Sequence, residues 1–263
     1  MAASVSSPSI PNCNKNVSDF NIMTVSELKS TLKYGNNCGL LLDIDETLSA
    51  TNIAWFTRMI DLFGNEEPDL TAVELSRKYH LAQNVPFWAK NKAAAEWMQQ
   101  QRDSPEAQKH LPLIEGALDG VKELQKELQT LDAFKDHMSS SDKNHTIIGY
   151  CTVRPENVGS ATVEWLREHK FPALPLVLKP DIVPFEKGNQ WKGDVLKELW
   201  PNVIGIVDDN PKVAIAVGKE YPGFLFLFGH YECKPEYNHA IPCPTWTSVI
   251  QNFNIINNAK KLL

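Results

Sequence analysis

The sequence predicts an α/β fold: a Rossmann-like parallel sheet with helices on both faces, plus a helical insert after the first strand. Three observations predict it. Short apolar runs at 39–42, 146–151, 174–178, 203–207 and 224–228 alternate with helical patterns, an order that builds βαβ units and a parallel sheet. Two of those runs end in paired acids, Asp43 with Asp45 and Asp208 with Asp209. Ligands of such sheets sit at the carboxyl ends of the strands, so chemistry-bearing residues belong there. The block at 50–112 carries helical periodicity and no strand pattern, which sets it apart from the alternation.

Each element has a local reason. Residues 24–33 read as a short helix, with Thr24 as N-cap, Glu27 three residues on and Gly35 as the stop. The run at 39–42 follows turn residues and suits a buried strand. Helices are predicted at 53–63, 72–81 and 87–101, punctuated by Pro68, Pro86 and Pro105. A further amphipathic helix covers 114–128, and a polar stretch with Ser139 to Ser141 follows it. After the strand at 146–151, Pro155 is predicted to open a helix that runs to about His169. The strand at 174–178 leads through a Pro-containing loop to a helix at 193–200, stopped by Pro201. The strand at 203–207, a helix at 211–221, the strand at 224–228 and a helix at 247–253 complete the chain. The predicted organisation is a flexible tail over 1–22, a core from 23–49 and 113–263, and a helical insert over 50–112.

Composition bounds the function. The 263 residues are 43% apolar and 22% charged, the profile of an ordinary globule. Burying about three quarters of the unfolded surface gives a core that needs no staples. The longest strongly apolar run, 224–228, is too short to span a bilayer. Net charge is −6 with no broad basic patch, so nucleic acid is not an expected partner. A small phosphorylated ligand needs only a few local cations. The five cysteines, Cys13, Cys38, Cys151, Cys233 and Cys243, are odd in number and widely spaced. They read as thiols in a reducing compartment. Residues 1–20 lack the apolar region of a secretory signal. Their Ser-rich opening leaves plastid targeting as the alternative to a cytoplasmic protein with a plain tail.

Four segments carry candidate chemistry. LLDIDETLS places Asp43 and Asp45 two apart where an apolar strand ends, and carboxylates buried there are costly without a partner. Capping a turn is the structural alternative. IIGYCTVRPE delivers Thr152 and Arg154 to the start of a predicted helix, where free N–H groups favour anions. QWKGDVLKEL places Lys192 just before a predicted helix. VIGIVDDNPKVA ends a strand in Asp208 and Asp209, whose mutual repulsion a divalent cation would relieve. Asp209 or Asn210 as a helix N-cap is the alternative there.

Taken in order, these segments resemble the motifs of the haloacid dehalogenase-like hydrolase superfamily. DIDET resembles D-x-D-x-T, CTVRP the Ser/Thr motif, WKGDVLKEL the lysine motif and VDDNP the acidic fourth motif. The resemblance covers nearly all of 39–250 and implies a Rossmann-like core with a C1-type cap over 50–112. It implies that Asp43 is a nucleophile forming an aspartyl-phosphate, and that Asp45 protonates the leaving oxygen and later activates water. That double role asks for a raised pKa at Asp45 beside an ionised Asp43.

Mg²⁺ is the implied cofactor, held by Asp43, the main-chain carbonyl of Asp45, and Asp208. Asp209 either binds it or orients a water. Thr152 donates to a phosphoryl oxygen and Lys192 neutralises charge on it, with Lys179 and Lys187 as competing candidates. Thr47 either fixes the loop after the nucleophile in the substrate site or is a turn residue. Arg154 either contacts substrate or forms a structural salt bridge. Within the resemblance, Asp45 favours phosphoryl transfer over dehalogenation, and an insert of this size favours a small substrate over a phosphoprotein.

The implied activity is therefore Mg²⁺-dependent hydrolysis of a small phosphomonoester. A phosphotransferase or mutase, and a non-catalytic binder of phosphorylated ligands, are the alternatives. Trp55, Phe56, Arg58, Phe87, Trp88, Lys90 and Trp97 are the insert's candidate substrate contacts; the aromatics among them equally suit the insert's own core.

Overall fold

The computed structural model describes residues 20–130, 144–237 and 240–260. The Ser139–Ser141 stretch, Cys13 and the segment considered for targeting lie outside them. Helix α1 spans Val25–Gly35. Thr24 and Glu27 form a complete capping box: Thr24 Oγ1 accepts from the Glu27 N–H (3.2 Å), and Glu27 Oε2 from the Thr24 N–H (2.8 Å). Strand β1, Asn37–Leu42, follows. Its side chains alternate, with Leu40 and Leu42 entering the core on one face of the sheet and Leu41 the core on the other.

The insert is helical among its described elements: α2 (Thr51–Phe63), α3 (Ala72–Tyr79), α4 (Pro86–Ala89), α5 (Lys92–Asp103) and α6 (Pro105–Lys109). The single helix predicted over 87–101 is broken into α4 and α5. Asn91 breaks it, because its side chain accepts from the Ala93 and Ala94 N–H groups and caps α5. The insert has its own apolar cluster, including Phe56, Met59, Leu75 and Trp88. Its two ends lie side by side. Ala50 N–H donates to the Pro112 carbonyl and Ile114 N–H to the Leu48 carbonyl, both at 2.8 Å.

After α7 (Ala117–Gln129) comes β2 (Asn144–Pro155). The strand runs four residues past its predicted end. Pro155 closes it and does not open the next helix. Its backbone is extended (ψ 158°) and it pairs with Lys179 in β3, Leu176–Lys179. Helix α8 begins only at Gly159 and runs to Glu168. Helix α9 covers Gly188–Leu199, starting five residues before the predicted 193, so Lys192 lies within it. Strand β4 is Val203–Asp208. Helix α10 is Pro211–Val217, capped by the Asn210 side chain and stopped at Gly218, whose φ is 74°. Strand β5 (Phe224–Phe228) matches its prediction. Strand β6 (Ile241–Cys243) has no counterpart in the sequence reading, because three residues including a proline give no pattern. Helix α11 (Trp246–Lys260) is longer than expected.

The six strands form one parallel sheet in the order β3-β2-β1-β4-β5-β6. Strand order reverses at β1, so the carboxyl ends of β1 and β4 flank the switch point. Residues 20–22, assigned to the tail by the sequence, lead into a segment tied to β3: Met23 N–H donates to the Leu176 carbonyl and Leu176 N–H to the Asn21 carbonyl. No helix among the described residues is long and apolar enough to cross a membrane.

Gly39 sits opposite Thr146 where β1 and β2 approach closely. A Cβ on Gly39 would lie 1.6 Å from the Thr146 carbonyl oxygen, a backbone clash that no rotamer relieves. Gly39→Ala is therefore expected to destabilise the chain by at least about 3 kcal/mol, read as a lowered urea midpoint.

Candidate active site

The site begins with the way β1 ends. Asp43 continues the ladder one residue past the strand, its N–H donating to the Val207 carbonyl at 2.9 Å. That register sets Asp43 beside Asp208, the last residue of β4. Lys192 rises from α9 between them, with Nζ 2.8 Å from Asp43 Oδ1 and 2.7 Å from Asp208 Oδ2. Lys192 is 1% exposed. Of the three competing lysines it is the one brought to the acids. Lys179 is buried but spends its ammonium on the Pro180 and Val183 carbonyls (3.1 and 2.6 Å), and Lys187 is exposed.

Carboxylate oxygens of Asp43, Asp208 and Asp209 lie within 4.8 Å of one another. Burial pushes the Asp43 carboxyl up to about 7, against the pull of Lys192. Burial, with repulsion from Asp208 and Asp43, raises Asp209 well above the usual carboxylate range. Burial opposes the Lys192 ammonium, but Asp208 and Asp43 outweigh it and raise its pKa. One cation thus faces three crowded acids. The donor set is all hard oxygen, and its charge exceeds what Lys192 neutralises, so these residues fit a divalent cation of the Mg²⁺ or Ca²⁺ type.

Asp45 does not join that cluster with its side chain. Arg154 grips it bidentately, Nε to Oδ2 at 2.9 Å and Nη2 to Oδ1 at 2.7 Å. Thr51 Oγ1 donates to Asp45 Oδ1 at 2.6 Å and Ser49 Oγ does so at 3.3 Å, while Arg154 also donates to Ser49 and Thr162. Burial pushes the Asp45 carboxyl up, but Arg154 and then Thr51 outweigh it and hold it below its ordinary value. The expected pattern is therefore inverted: the raised carboxyl is Asp43 and the depressed one is Asp45. Arg154 is the structural salt bridge of the two roles open to it, although it also borders the cavity.

A cavity of about 270 Å³ lies over these groups, bounded by Asp43, Asp45, Lys192 and Asp209 from the sheet side. Thr152 and Thr47 are fully buried and do not line it. Thr152 Oγ1 accepts from the Arg154 N–H at 3.2 Å, and its own O–H has no acceptor among the described residues. The Thr47 carbonyl accepts from the Trp246 indole at 3.1 Å, which fixes the loop after Asp45, and its Oγ1 is buried without a partner among the described residues. Of the insert's candidate contacts, only Trp55 reaches the cavity. Phe56 and Trp88 pack edge to face inside the insert, Trp97 meets Trp55 and Phe63, and Arg58 and Lys90 are exposed. Phe87 packs edge to face on Trp88.

Sequence reasoning missed Glu46, Asn52, Arg102, Gln108 and Phe185, all on the cavity wall. It also missed His230, which bonds the Asp209 carbonyl at 2.9 Å and stacks on His80 of the insert. Ser49 and Thr51 follow directly on the D-x-D segment and were within reach of a closer reading. Arg102 and Gln108 carry no local signal. No family model matches the chain, and a search of curated proteins returns no significant match.

Replacing Arg154 leaves the partly buried Asp45 with hydroxyl partners and only the more distant Lys192 as counter-charge. Arg154→Met is expected to lower stability by about 3 kcal/mol at neutral pH, measured by urea denaturation.

A second expectation concerns pH. Asp43 and Glu46, both pushed up to about 7 chiefly by burial, titrate near 4 in the unfolded chain. Between these values the folded state binds more protons, so these groups make stability fall as pH rises from about 4 to about 7, then level off. Asp45, being depressed, acts oppositely and only at lower pH. The fall, measured in chelator, is expected to be smaller in Asp43→Asn and smaller in the wild type with saturating Mg²⁺.

Proposed function

We propose that the chain is an Mg²⁺-dependent phosphatase that hydrolyses a small phosphomonoester, a member of the haloacid dehalogenase-like superfamily that its motifs resemble. One observation carries the reading. A buried Asp43–Lys192–Asp208 cluster, with Asp209 alongside, stands at the switch point of a parallel sheet and opens on a cavity walled in part by the insert. Phosphoryl transfer asks for little more than this: a positioned nucleophile, neutralising charge and shelter from water.

In the first step an Asp43 carboxylate oxygen bonds to phosphorus while the bond from phosphorus to the leaving oxygen breaks. Asp45 gives that oxygen its proton. In the second, water attacks the aspartyl-phosphate, Asp45 takes its proton, and inorganic phosphate leaves with Asp43 restored. Lys192, which lines the cavity, neutralises phosphoryl charge, while Thr152 stands behind the wall and acts through the Arg154 N–H that its Oγ1 accepts. Asp43, Asp208 and Asp209, with the Asp45 carbonyl, would hold Mg²⁺, which when bound would supply the positive charge that lets an anionic carboxylate meet an anionic phosphate. As clamped by Arg154, Asp45 is held ionised with both oxygens engaged, so the acid role of the first step and the base role of the second both require it to leave that clamp. The thiols of Cys38, Cys151, Cys233 and Cys243, none in a disulfide, support a reducing compartment such as the cytoplasm.

The same clamp favours a second reading, a relative that binds phosphorylated ligands without turning them over. Hydrolysis of p-nitrophenyl phosphate and of a panel of small phosphomonoesters separates the two. The phosphatase reading expects turnover that needs Mg²⁺, is abolished by chelator and drops by at least about 10³-fold in Asp43→Asn. Full activity in that variant would sink the mechanism, and binding of the panel without turnover would establish the second reading.

A further inference from the structure

We infer that the cavity recognises a second anionic group on the leaving-group side of the substrate through Arg102, and a hydrogen-bond donor beside it through Gln108. This rests on the phosphomonoester reading and narrows its substrate class.

Arg102 lies on α5 of the insert, and its guanidinium sits over the Phe185 ring, 3.7 Å from the centroid. Phe185 belongs to the short turn Phe185–Lys187 that leads into α9, so the stack joins the insert to the sheet across the cavity wall. Stacking fixes the guanidinium plane and leaves its N–H edge for a ligand. Of its five donors, one is used within the described residues, by Gln99 Oε1 at 2.7 Å. No carboxylate among the described residues lies within 4.0 Å of it. Arg102 is half-buried; the fully buried cations of the cavity are already matched, Arg154 by Asp45 and Lys192 by Asp43 and Asp208, and Lys212 on its rim is exposed. Asp103 favours the charged form without touching it, and burial works against that form. Arginine keeps its proton at any working pH, so the unmatched charge stays and an arriving anion relieves it.

Gln108 adds an independent observation. It is 3% exposed and lines the same cavity. Its Nε2 donates to the Gln101 carbonyl at 3.0 Å, which fixes which end of the amide is nitrogen. Its Oε1 is buried with no partner. A buried acceptor left unpaired is expensive, and an O–H or N–H on the ligand satisfies it. The cavity, of about 270 Å³, has room for a phosphate together with a second group. The class defined is a small phosphomonoester that carries a carboxylate or a second phosphate next to a hydroxyl or amine.

Binding to the full chain carrying Asp43→Asn, in Mg²⁺, tests this by calorimetry without turnover. The probes are 3-phosphoglycerate, glycerol 3-phosphate, which replaces the carboxylate by a hydroxymethyl group, and 1,3-propanediol bisphosphate. A fourth, 3-phosphopropionate, keeps the carboxylate and lacks the hydroxyl.

At least one anionic probe is expected to bind about tenfold or more tightly than glycerol 3-phosphate. Which one does so separates carboxylate from second phosphate. Adding Arg102→Ala is expected to erase the preference and Arg102→Lys to restore part of it, as charge without the planar fork. Loss of the hydroxyl is expected to weaken binding several-fold, and Gln108→Leu to remove that difference.

Equal binding of glycerol 3-phosphate and the probes that carry a second anionic group, or a preference that survives Arg102→Ala, overturns the inference while leaving a phosphate site. Preference without hydrolysis by the wild type upholds the inference and overturns the phosphatase reading. No binding of any probe overturns both.

Discussion

The rest of the site depends on the burial of Lys192 between Asp43 and Asp208. Carboxylates at the ends of two neighbouring central strands repel each other in a medium that screens poorly. An ammonium at 2.7–2.8 Å from both makes that arrangement tolerable. It also obliges α9 to begin early, because the lysine must stand within the helix and point down at the sheet. Asp209 is left over, its pKa raised by the same crowding. Carboxylates beyond what one lysine can offset are what would let this group of residues take a divalent ion.

Parallel topology explains why these residues meet although they lie far apart in the chain. With β1 and β4 adjacent and pointing the same way, their last residues come side by side without further design. Asp43 needs only its N–H on the Val207 carbonyl to be placed. The apolar alternation of Leu40, Leu41 and Leu42 ties this placement to both hydrophobic layers at once. A shift of β1 by one residue would exchange the two layers and turn the acids away.

Much of this was legible in the sequence, and the part that was not has physical reasons. Continuous apolar runs ending in acids announce buried parallel strands and their carboxyl ends, so β1, β4 and β5 and the acidic pairs could be read directly. Pro155 misled because proline suits an extended strand end as well as the first turn of a helix, and only pairing with Lys179 decides between them. The orientation of Asp45 was not legible, since it depends on a guanidinium 109 residues away in sequence. Arg102 and Phe185 meet only because the insert folds over the sheet, a contact that no local pattern encodes.

The Asp45 clamp and the insert share one short stretch of chain. Ser49 and Thr51, which hold Asp45 and Arg154, stand on either side of Ala50, where the chain leaves the sheet and meets Pro112 returning. Thr51 is also the first residue of α2, the helix that carries Trp55 to the cavity. Holding the second acid, anchoring the insert and walling the cavity are therefore tasks of a single segment that begins six residues after Asp43. A change in how α2 sits is bound to alter the hydroxyls around Asp45, because Thr51 cannot move with one and stay with the other. Access to the cavity and the state of the carboxyl that the proposed chemistry must use are coupled through ordinary chain connectivity, with no longer-range mechanism needed.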